Sequence, residues 1–315
     1  MPGTGASGAR PDSPPTDIGD LLERLPSLAG RKWLVEPLPG GLTNTNYKVT
    51  TADGCFVVRV AAANAGLLAI DRLNEYENSV AAFRAGVGAP VIDYLPDPCV
   101  LVLGYIDGKT LSADDLRQGS YLPGVAAACR ALHGAQRFRT DFNMFDIQRR
   151  YFELVQERGF RLPDGYTDFA PQVARMRKAM SVRPEPTVPC NNDLLAENFI
   201  DDGARLWLID YEYSGNNEPS FELGNIWSES NLSLEQLSEL VTCYYGSPLR
   251  SKIARARLWG LMSKYGWTLW ASIQDGAADI DFDFWRWGIE KYERAVAEFT
   301  GPGFDGLLAD VQRDD

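Results

Sequence analysis

The sequence predicts an α+β fold in which a small β-rich part precedes a larger, mainly helical part. Short runs of β-branched and aromatic residues, such as CFVVRVAA, occupy the first hundred residues and are broken by Gly40-Gly41 and Asp53-Gly54. An Asp-Gly pair between two such runs predicts a β-hairpin. From about Leu111 onward, Ala-rich and amphipathic runs such as YLPGVAAACRALHGA predict helices.

This change of pattern predicts three segments. Residues 1–17 are rich in Gly, Pro and Ser, lack the basic start and apolar run of a signal peptide, and are expected to form a disordered tail. Residues 18–104 are expected to form an N-terminal lobe and residues 105–315 a C-terminal lobe. The hinge between the lobes is expected between Gly104 and Gly108.

Composition narrows the class of protein and of partner. A chain of 315 residues with 45% hydrophobic residues can bury one large or two medium cores. No apolar run approaches the roughly 18 residues that a membrane helix needs, so we expect no membrane insertion. The net charge of −12 disfavours nucleic acid as a partner, because phosphate backbones select basic surfaces. A cationic substrate suits this charge better.

The cysteines and the single histidine exclude several kinds of site. The cysteines are scattered and odd in number, which indicates reduced thiols in a cytoplasmic protein and no disulfide framework or zinc site. The only histidine, His133, leaves no His-ligated metal cluster, and no Ser-His-Asp triad unless this residue serves it. Its position near the end of a helical run favours a structural role.

Two features of the β-rich part have both a structural and a ligand-binding interpretation. In GGLTNTNY, the glycines either form a plain hairpin turn or let the backbone approach a ligand. The donors there would be Thr43, Asn44 and Asn46. Arg59 lies inside the apolar run FVVRVA, so it either points to water from an edge strand or needs an acidic partner or an anionic ligand.

The segment CNNDLLAENFIDDGARLWLIDYEY contains Asp193, Asn198 and Asp210. In the pattern D-L-x-x-x-N, the aspartate can receive a proton from a substrate hydroxyl, and the asparagine five residues later can hold a metal ion. Asp210 closes the apolar strand RLWLI and can hold another metal ion. The spacing therefore predicts phosphoryl-transfer chemistry.

Two long motifs resemble those of the choline and ethanolamine kinases, a branch of the aminoglycoside phosphotransferase-like superfamily. CNNDLLAENF resembles the family loop C-H-N-D-x-x-x-x-N, and IDYEYSGNNEPSFELGN resembles the block I-D-[FW]-E-Y-[SA]-x-x-N-x-x-x-F-D-[IL]-x-N. The resemblance extends over residues from about Leu38 to about Tyr292. It implies a bilobal protein-kinase-like fold and phosphorylation of the hydroxyl of choline, ethanolamine or a related amino alcohol by ATP.

The resemblance also implies an ATP site in the N-terminal lobe. GGLTNTNY is similar to the family loop G-G-x-T-N-x-N-Y that covers the phosphates, which assigns Gly40, Gly41, Thr43, Asn44 and Asn46 to ATP. Arg59 matches the basic strand residue that contacts phosphates and pairs with a helix glutamate. Glu75 is the best match for that glutamate and Glu77 the alternative. The hinge backbone would bind adenine.

In the C-terminal lobe, the resemblance implies that Asp193 orients and deprotonates the acceptor hydroxyl. Asn198 and Asp210 would hold Mg²⁺, with Glu212 supporting them. Asn191 departs from the family, which has a histidine that braces this loop without transferring a proton. Displacing a catalytic group by about 1 Å can lower the rate on the order of 100-fold. If Asn191 holds Asp193 less firmly than the histidine would, the chain is a weakened kinase or a pseudokinase, and this alternative stays open.

The last third of the chain carries a candidate acceptor pocket. Trp267 and Trp270 lie three residues apart and therefore share a helix face. Aromatic residues at this spacing usually belong to the hydrophobic core. The segment is nevertheless similar to the family region W-x-L-W-x-x-x-Q…Y-x-x-x-[RK]-[FY], whose aromatics enclose a quaternary ammonium. This implies a cage of Trp267, Trp270 and Trp287, with Glu229 as the acidic complement to the cation.

Other interpretations remain beside the amino-alcohol kinase. An aminoglycoside kinase on the same scaffold would want many carboxylates and few aromatic residues around the acceptor, whereas the tryptophans favour a choline-like headgroup. A pseudokinase that binds nucleotide would follow if Asn191 loosens the loop. If the chain were an unrelated structural protein, its loop, hinge and metal motifs would be coincidences.

Overall fold

The computed structural model describes residues 17–39, 44–61, 65–68, 70–278 and 280–315. Within them, five strands form an antiparallel sheet in the order β1-β2-β3-β5-β4. The strands are β1 (Trp33–Leu38), β2 (Asn44–Thr51), β3 (Gly54–Ala61), β4 (Val91–Leu95) and β5 (Val100–Gly104). The predicted hairpin joins β2 to β3, and Thr51 pairs with Gly54 across its turn.

Two helices accompany this sheet. Helix α1 (Ile18–Arg24) packs Leu21 and Leu22 into a core with the sheet residues Val49, Val58 and Val102. Helix α2 (Arg72–Arg84) is capped by the preceding Asp71, whose side chain accepts the N–H groups of Leu73 and Asn74. The buried face of α2 is polar and includes Glu75 and Asn78, which indicates a helix that carries site residues.

The remaining helices lie in the second part of the chain. They are α3 (Ala113–Arg117), α4 (Leu122–His133), α5 (Met144–Arg158), α6 (Ala170–Met180), α7 (Pro219–Ser230), α8 (Leu234–Tyr245), α9 (Arg250–Ala277), α10 (Phe284–Thr300) and α11 (Phe304–Asp310). Helix α9 is buried along most of its length between α5, α7 and α10. Glycines allow α7 and α9 to approach closely, because a Cβ at Gly260 would lie 2.6 Å from the Gly224 carbonyl oxygen.

Short strands position the segment around Asp193. They are β6 (Lys109–Thr110), β7 (Val188–Cys190), β8 (Phe199–Asp201), β9 (Leu206–Leu208) and β10 (Gly215–Asn217). Strands β6, β8 and β9 form one small sheet, and β7 pairs with β10. The loop with Asp193 therefore lies between β7 and β8, and Asp210 follows β9 directly.

The described residues contain no helix long and apolar enough to cross a membrane. All five cysteines are free thiols, as predicted: Cys55, Cys99, Cys129, Cys190 and Cys243.

Candidate active site

The loop after β7 presents Asp193, and its backbone is fixed on both sides. Asn192 adopts a left-handed conformation with φ of 68°, which turns the chain out of the strand. Asn198 donates its Nδ2 to the Asp193 carbonyl oxygen at 2.7 Å, so its Oδ1 is the remaining ligand atom. The Asp193 side chain is half-buried.

Asn191 joins this loop to the segment that carries Asp210. Its Nδ2 donates to the carbonyl oxygens of Ile209, at 3.1 Å, and Asp210, at 2.8 Å. Its Oδ1 accepts the N–H of Asp193 at 3.1 Å. The side chain is fully buried. An amide therefore braces the loop at the position where the family has a histidine.

A second brace lies behind the loop. The Glu222 carboxylate accepts the N–H groups of Asn191 and Asn192, each at 2.8 Å. His133 Nε2 lies 3.8 Å from the same carboxylate, and its Nδ1 lies 2.7 Å from the Tyr244 hydroxyl. Although His133, Cys190 and Glu222 cluster, burial followed by the Glu222 charge raises the pKa of the Cys190 thiol. A neutral thiol and a carboxylate occupied by two N–H groups fit a structural brace better than a metal site.

Arg59 connects the N-terminal sheet to the segment after β9. Its guanidinium pairs with Glu75 at 2.7 Å and binds both carboxylate oxygens of Asp210, at 2.7 and 2.6 Å. Its Nε donates to Asn46 Oδ1 at 3.4 Å. Glu77, the alternative partner, instead lies 3.5 Å from Arg139 in an exposed ion pair.

Glu212 lies in the same buried network. Asn44 Nδ2 donates to Glu212 at 2.9 Å, and Arg72 approaches Glu212 at 3.2 Å and Glu75 at 2.7 Å. Asn44 is the first residue of β2, so this donor belongs to a strand and not to the preceding loop. The predicted phosphate-covering residues Gly40, Gly41 and Thr43 lie outside the described residues.

Asp193 and Asp210 have pKa values shifted in opposite directions. Burial, followed by the charges of Asp210, Glu229 and Glu212, raises the pKa of Asp193 well above its ordinary value. Burial alone would raise the pKa of Asp210, but the charge and hydrogen bonds of Arg59 lower it. Hard carboxylate and amide oxygens in a cluster of excess negative charge are the donor set that Mg²⁺ prefers. Asn198, Asp210 and Glu212 therefore fit a divalent ion.

The predicted acceptor residues lie together. Trp270 donates its Nε1 to the Tyr213 hydroxyl at 2.8 Å, and Trp267 packs edge-on against the same tyrosine ring. Trp287 packs against Trp270 with ring centroids 5.4 Å apart. Trp267 and Trp270 are buried, whereas Trp287 is half-buried. The first two rings thus belong to the hydrophobic core.

Glu229 is paired with a cation of the protein itself. Lys291 Nζ lies 2.5 Å from Glu229 Oε2 and 4.1 Å from the centroid of the Trp287 ring. Glu229 Oε1 is buried and has no hydrogen-bond partner within the described part of the chain. Lys291 thus places its ammonium group between a carboxylate and an aromatic face.

The sequence model of the choline/ethanolamine kinase family matches residues 35–244. The chain belongs to this family. It is therefore an ATP-dependent phosphotransferase that acts on an alcohol group.

Members of this family are similar to the chain over most of its length. The protein LicA of Haemophilus influenzae is 31% identical over 252 residues, which cover 75% of this chain and 72% of LicA. Ethanolamine kinase 2 of Mus musculus is 27% identical over 270 residues, which cover 76% of this chain and 69% of the mouse protein.

Solved structures of family members share the fold. A choline/ethanolamine kinase family protein from Mesorhizobium loti superposes with a TM-score of 0.82 at 32% identity, covering 94% of this chain and 98% of the other. Aminoglycoside 2′-phosphotransferase-IIIa gives a TM-score of 0.59 at 14% identity, covering 85% of this chain and 93% of the other, a likeness of fold alone. The predicted α+β, protein-kinase-like fold is confirmed.

Sequence reasoning missed two basic residues in this choline/ethanolamine kinase family member. Arg72 binds Glu75 and Glu212, and the signal available was its position three residues before Glu75 on one helix face. Lys291 binds Glu229, and the signal was the basic position of the family region that follows Trp287. Both pair with carboxylates already singled out, but over separations of 62 and 140 residues the sequence pattern does not show which cation reaches which carboxylate.

Proposed function

We propose that the chain transfers the γ-phosphoryl group of ATP to the hydroxyl of a small amino alcohol of the choline and ethanolamine class. One observation carries this choice of acceptor. The ammonium of Lys291 lies against Trp287 and Glu229, and this contact supports a pocket whose walls suit a cationic nitrogen. The Glu229 charge is also close enough to Asp193 to raise its pKa, so this pocket adjoins the proposed base.

Asp193 is the proposed catalytic base. Its raised pKa makes it a better proton acceptor than an ordinary aspartate, and the hydrogen bonds of Asn191 and Asn198 hold its backbone. The acceptor hydroxyl would give its proton to Asp193 as its oxygen forms the new bond to phosphorus and the bond to ADP breaks. Positioning and charge neutralisation supply most of the rate in such transfers.

The ATP and metal roles rest on the cleft between the sheet and the segment after β9. Arg59 and Asn46 would contact phosphates, with Glu75 holding Arg59 in place. Asn198 and Asp210 would hold Mg²⁺, which neutralises phosphate charge when bound. Glu212, bonded to Asn44 and Arg72, would support them.

Adenine would lie at the connection after β5. The N–H groups of Gly104 and Tyr105 already donate to Pro90 and Cys55 within the sheet, at 2.7 and 3.0 Å. The adenine-binding donors of this connection would therefore lie after Tyr105.

An acceptor screen tests the proposal by ADP release with purified protein, Mg²⁺ and either choline, ethanolamine or one aminoglycoside. We expect choline to give the highest kcat/KM. Glu229 is already shared with Lys291, so a primary ammonium must compete for it, whereas a trimethylammonium needs only aromatic contact and charge. A clear preference for the aminoglycoside would overturn the substrate class.

The variants Trp287→Leu and Trp285→Leu locate the pocket on helix α10. We expect Trp287→Leu to raise KM for choline by roughly 2- to 30-fold, the range of a cation–π contact, and Trp285→Leu to leave it within about 2-fold. Trp287 is preferred to Trp270 because Trp270 is also a core residue. If ethanolamine is preferred and Glu229→Gln is the damaging change, the pocket works instead through Glu229 Oε1 as a hydrogen-bond acceptor.

A further inference from the structure

A cavity of about 540 Å³ lies between the end of α7, the middle of α9 and the connection from α10 to α11. Its wall includes Trp227, Ser228, Lys264, Arg294 and Phe304. None of the residues assigned above to the base, ATP, metal or acceptor lines it. The volume lies within the range of small-molecule binding pockets, which is about 300–1,000 Å³.

Lys264 is the most buried charged residue in the wall of this cavity. The residue is only 6% exposed, and its Nζ lies 3.9 Å from the centroid of the Trp227 ring. No hydrogen-bond or ion-pair partner for this ammonium exists in the part of the chain that the structure describes. Burying a charge without a counter-ion is costly, so the position calls for an anion.

Two neutral donors in the same wall also lack partners. Trp227 Nε1 and Ser228 Oγ are both buried, and among the described residues neither has a hydrogen-bond partner. Buried polar groups are normally paired, so each such group needs an explanation. A ligand with acceptor atoms would satisfy both donors together with Lys264.

The other charges of the cavity define the charge of its ligand. Arg257 is paired with Glu298 at 2.7 Å, and Arg294 donates to the neutral Asn231 side chain. With Glu298 counted against Arg257, the wall keeps two excess positive charges, on Lys264 and Arg294, and neither forms an ion pair within the described residues. This is a basic site on a chain whose net charge is −12. Two excess positive charges match a dianion.

We propose that this cavity binds a phosphate dianion, either inorganic phosphate or the phosphate group of a small organic phosphate. A phosphate monoester carries about −1.5 to −2 charges at pH 7 and offers three acceptor oxygens. These match the ammonium of Lys264, the guanidinium of Arg294 and the two neutral donors. The apolar side chains of Leu232 and Phe304 in the same wall would contact an organic portion.

The protonation of Lys264 gives an independent readout. Burial lowers the pKa of Lys264 to about 8, while Glu298 and Glu229 raise it and Lys291 and Arg294 lower it. An anion bound beside the ammonium raises that pKa, so binding near pH 8 takes up a proton. Sulfate is a suitable probe because it remains a dianion throughout this range.

The test uses isothermal titration calorimetry of the full chain without magnesium or nucleotide. Sulfate, inorganic phosphate and phenyl phosphate are titrated into wild type and into Lys264→Met, Arg294→Gln and Arg286→Gln. Arg286 lies on the same helix as Arg294, is exposed, and does not line the cavity. We expect Lys264→Met and Arg294→Gln to weaken binding of each anion at least about 10-fold, and Arg286→Gln to leave it within about 2-fold.

Sulfate titrations at pH 8 in buffers of different ionisation enthalpy should show proton uptake by wild type and none by Lys264→Met. Equal affinity for phosphate and phenyl phosphate identifies the free ion as the ligand, and tighter binding of phenyl phosphate identifies an organic phosphate. Sulfate binding that is unchanged in Lys264→Met and Arg294→Gln would place the bound anion elsewhere and overturn the proposal. Absence of binding to wild type at millimolar concentrations would do the same.

Discussion

At the scale of single residues, the proposed chemistry depends on how neighbouring groups hold the backbone of Asp193 and raise the pKa of its carboxylate. Burial, followed by the charges of Asp210, Glu229 and Glu212, raises the pKa of Asp193. Its backbone is held by Asn191 and Asn198. The backbone that carries the proposed base is therefore held in place, and the raised pKa favours acceptance of a proton.

Replacing Asp193 by Asn removes the proposed base while keeping the size of the side chain. We expect kcat to fall by at least about 100-fold, the contribution of a positioned general base, with the melting temperature and ATP affinity near wild type. Steady-state kinetics and nucleotide titration measure these quantities. Glu197→Gln, an exposed carboxylate of the same loop, is the matched control. Activity of Asp193→Asn within a factor of three of wild type would exclude the assignment.

We expect the Asn191 amide to be necessary for full kcat, and we expect a histidine at this position to give no increase in kcat. Asn191→Ala leaves the Asp193 N–H and two carbonyl oxygens without their partners, at a cost of about 1–3 kcal/mol for each buried group. We expect kcat to fall by about 10- to 100-fold through displacement of Asp193, with KM for ATP little changed. Asn191→His must fit a larger ring into a fully buried position. A rise in kcat in Asn191→His would show that the amide holds the loop poorly.

At the scale of elements, the contact between α7 and α9 fixes the wall that carries Glu229. Helix α7 presents Glu222 to the loop that carries Asp193 at one end and Glu229 to the proposed acceptor pocket at the other. Its position depends on Gly224 and Gly260, which allow the two backbones to touch. Because backbone atoms form this contact, a side chain cannot move aside to relieve a clash.

Gly224→Ala should destabilise the protein by about 1–3 kcal/mol or more, since the added Cβ would clash with the Ala256 carbonyl oxygen and force the helices apart. Gly306→Ala, a helical glycine with open space around it, should be stabilising by about 0.5–1 kcal/mol. Urea unfolding measures both changes. An unfolding midpoint of Gly224→Ala equal to that of wild type would show that the helices are not held by this contact.

At the scale of the whole molecule, features that depend on residues close in sequence could be predicted, whereas contacts between residues far apart in sequence could not. The fold class and the spacing of Asp193, Asn198 and Asp210 follow from runs of residues close in sequence, where periodicity and turns have direct meaning. The bond of Lys291 to Glu229 joins residues of two separate helices, and that of Arg72 to Glu212 joins the two parts of the chain. Such pairs depend on the packing of the whole chain, which periodicity does not encode.

The two parts of the molecule meet through polar contacts to the segment after β9. Arg59 of β3 binds Asp210, and Asn44 of β2 binds Glu212. Asn74 and Asn78 of α2 donate to the Ser214 carbonyl oxygen at 2.9 and 3.3 Å. The segment proposed to hold metal is therefore also the joint between the sheet and the helices.

Asp210→Asn separates these two roles of the segment. We expect magnesium to tighten ATP binding at least about 10-fold in wild type and less than about 2-fold in Asp210→Asn, because a carboxylate ligand of the metal is lost. Both the variant and its control, Glu75→Gln, remove one carboxylate from Arg59, but only Asp210→Asn removes a proposed metal ligand. Weaker ATP binding common to both variants reports on Arg59, whereas loss of the magnesium effect in Asp210→Asn alone reports on the metal. If magnesium tightens binding equally in Asp210→Asn and wild type, the ion is held by other residues and the role of Asp210 is to anchor Arg59.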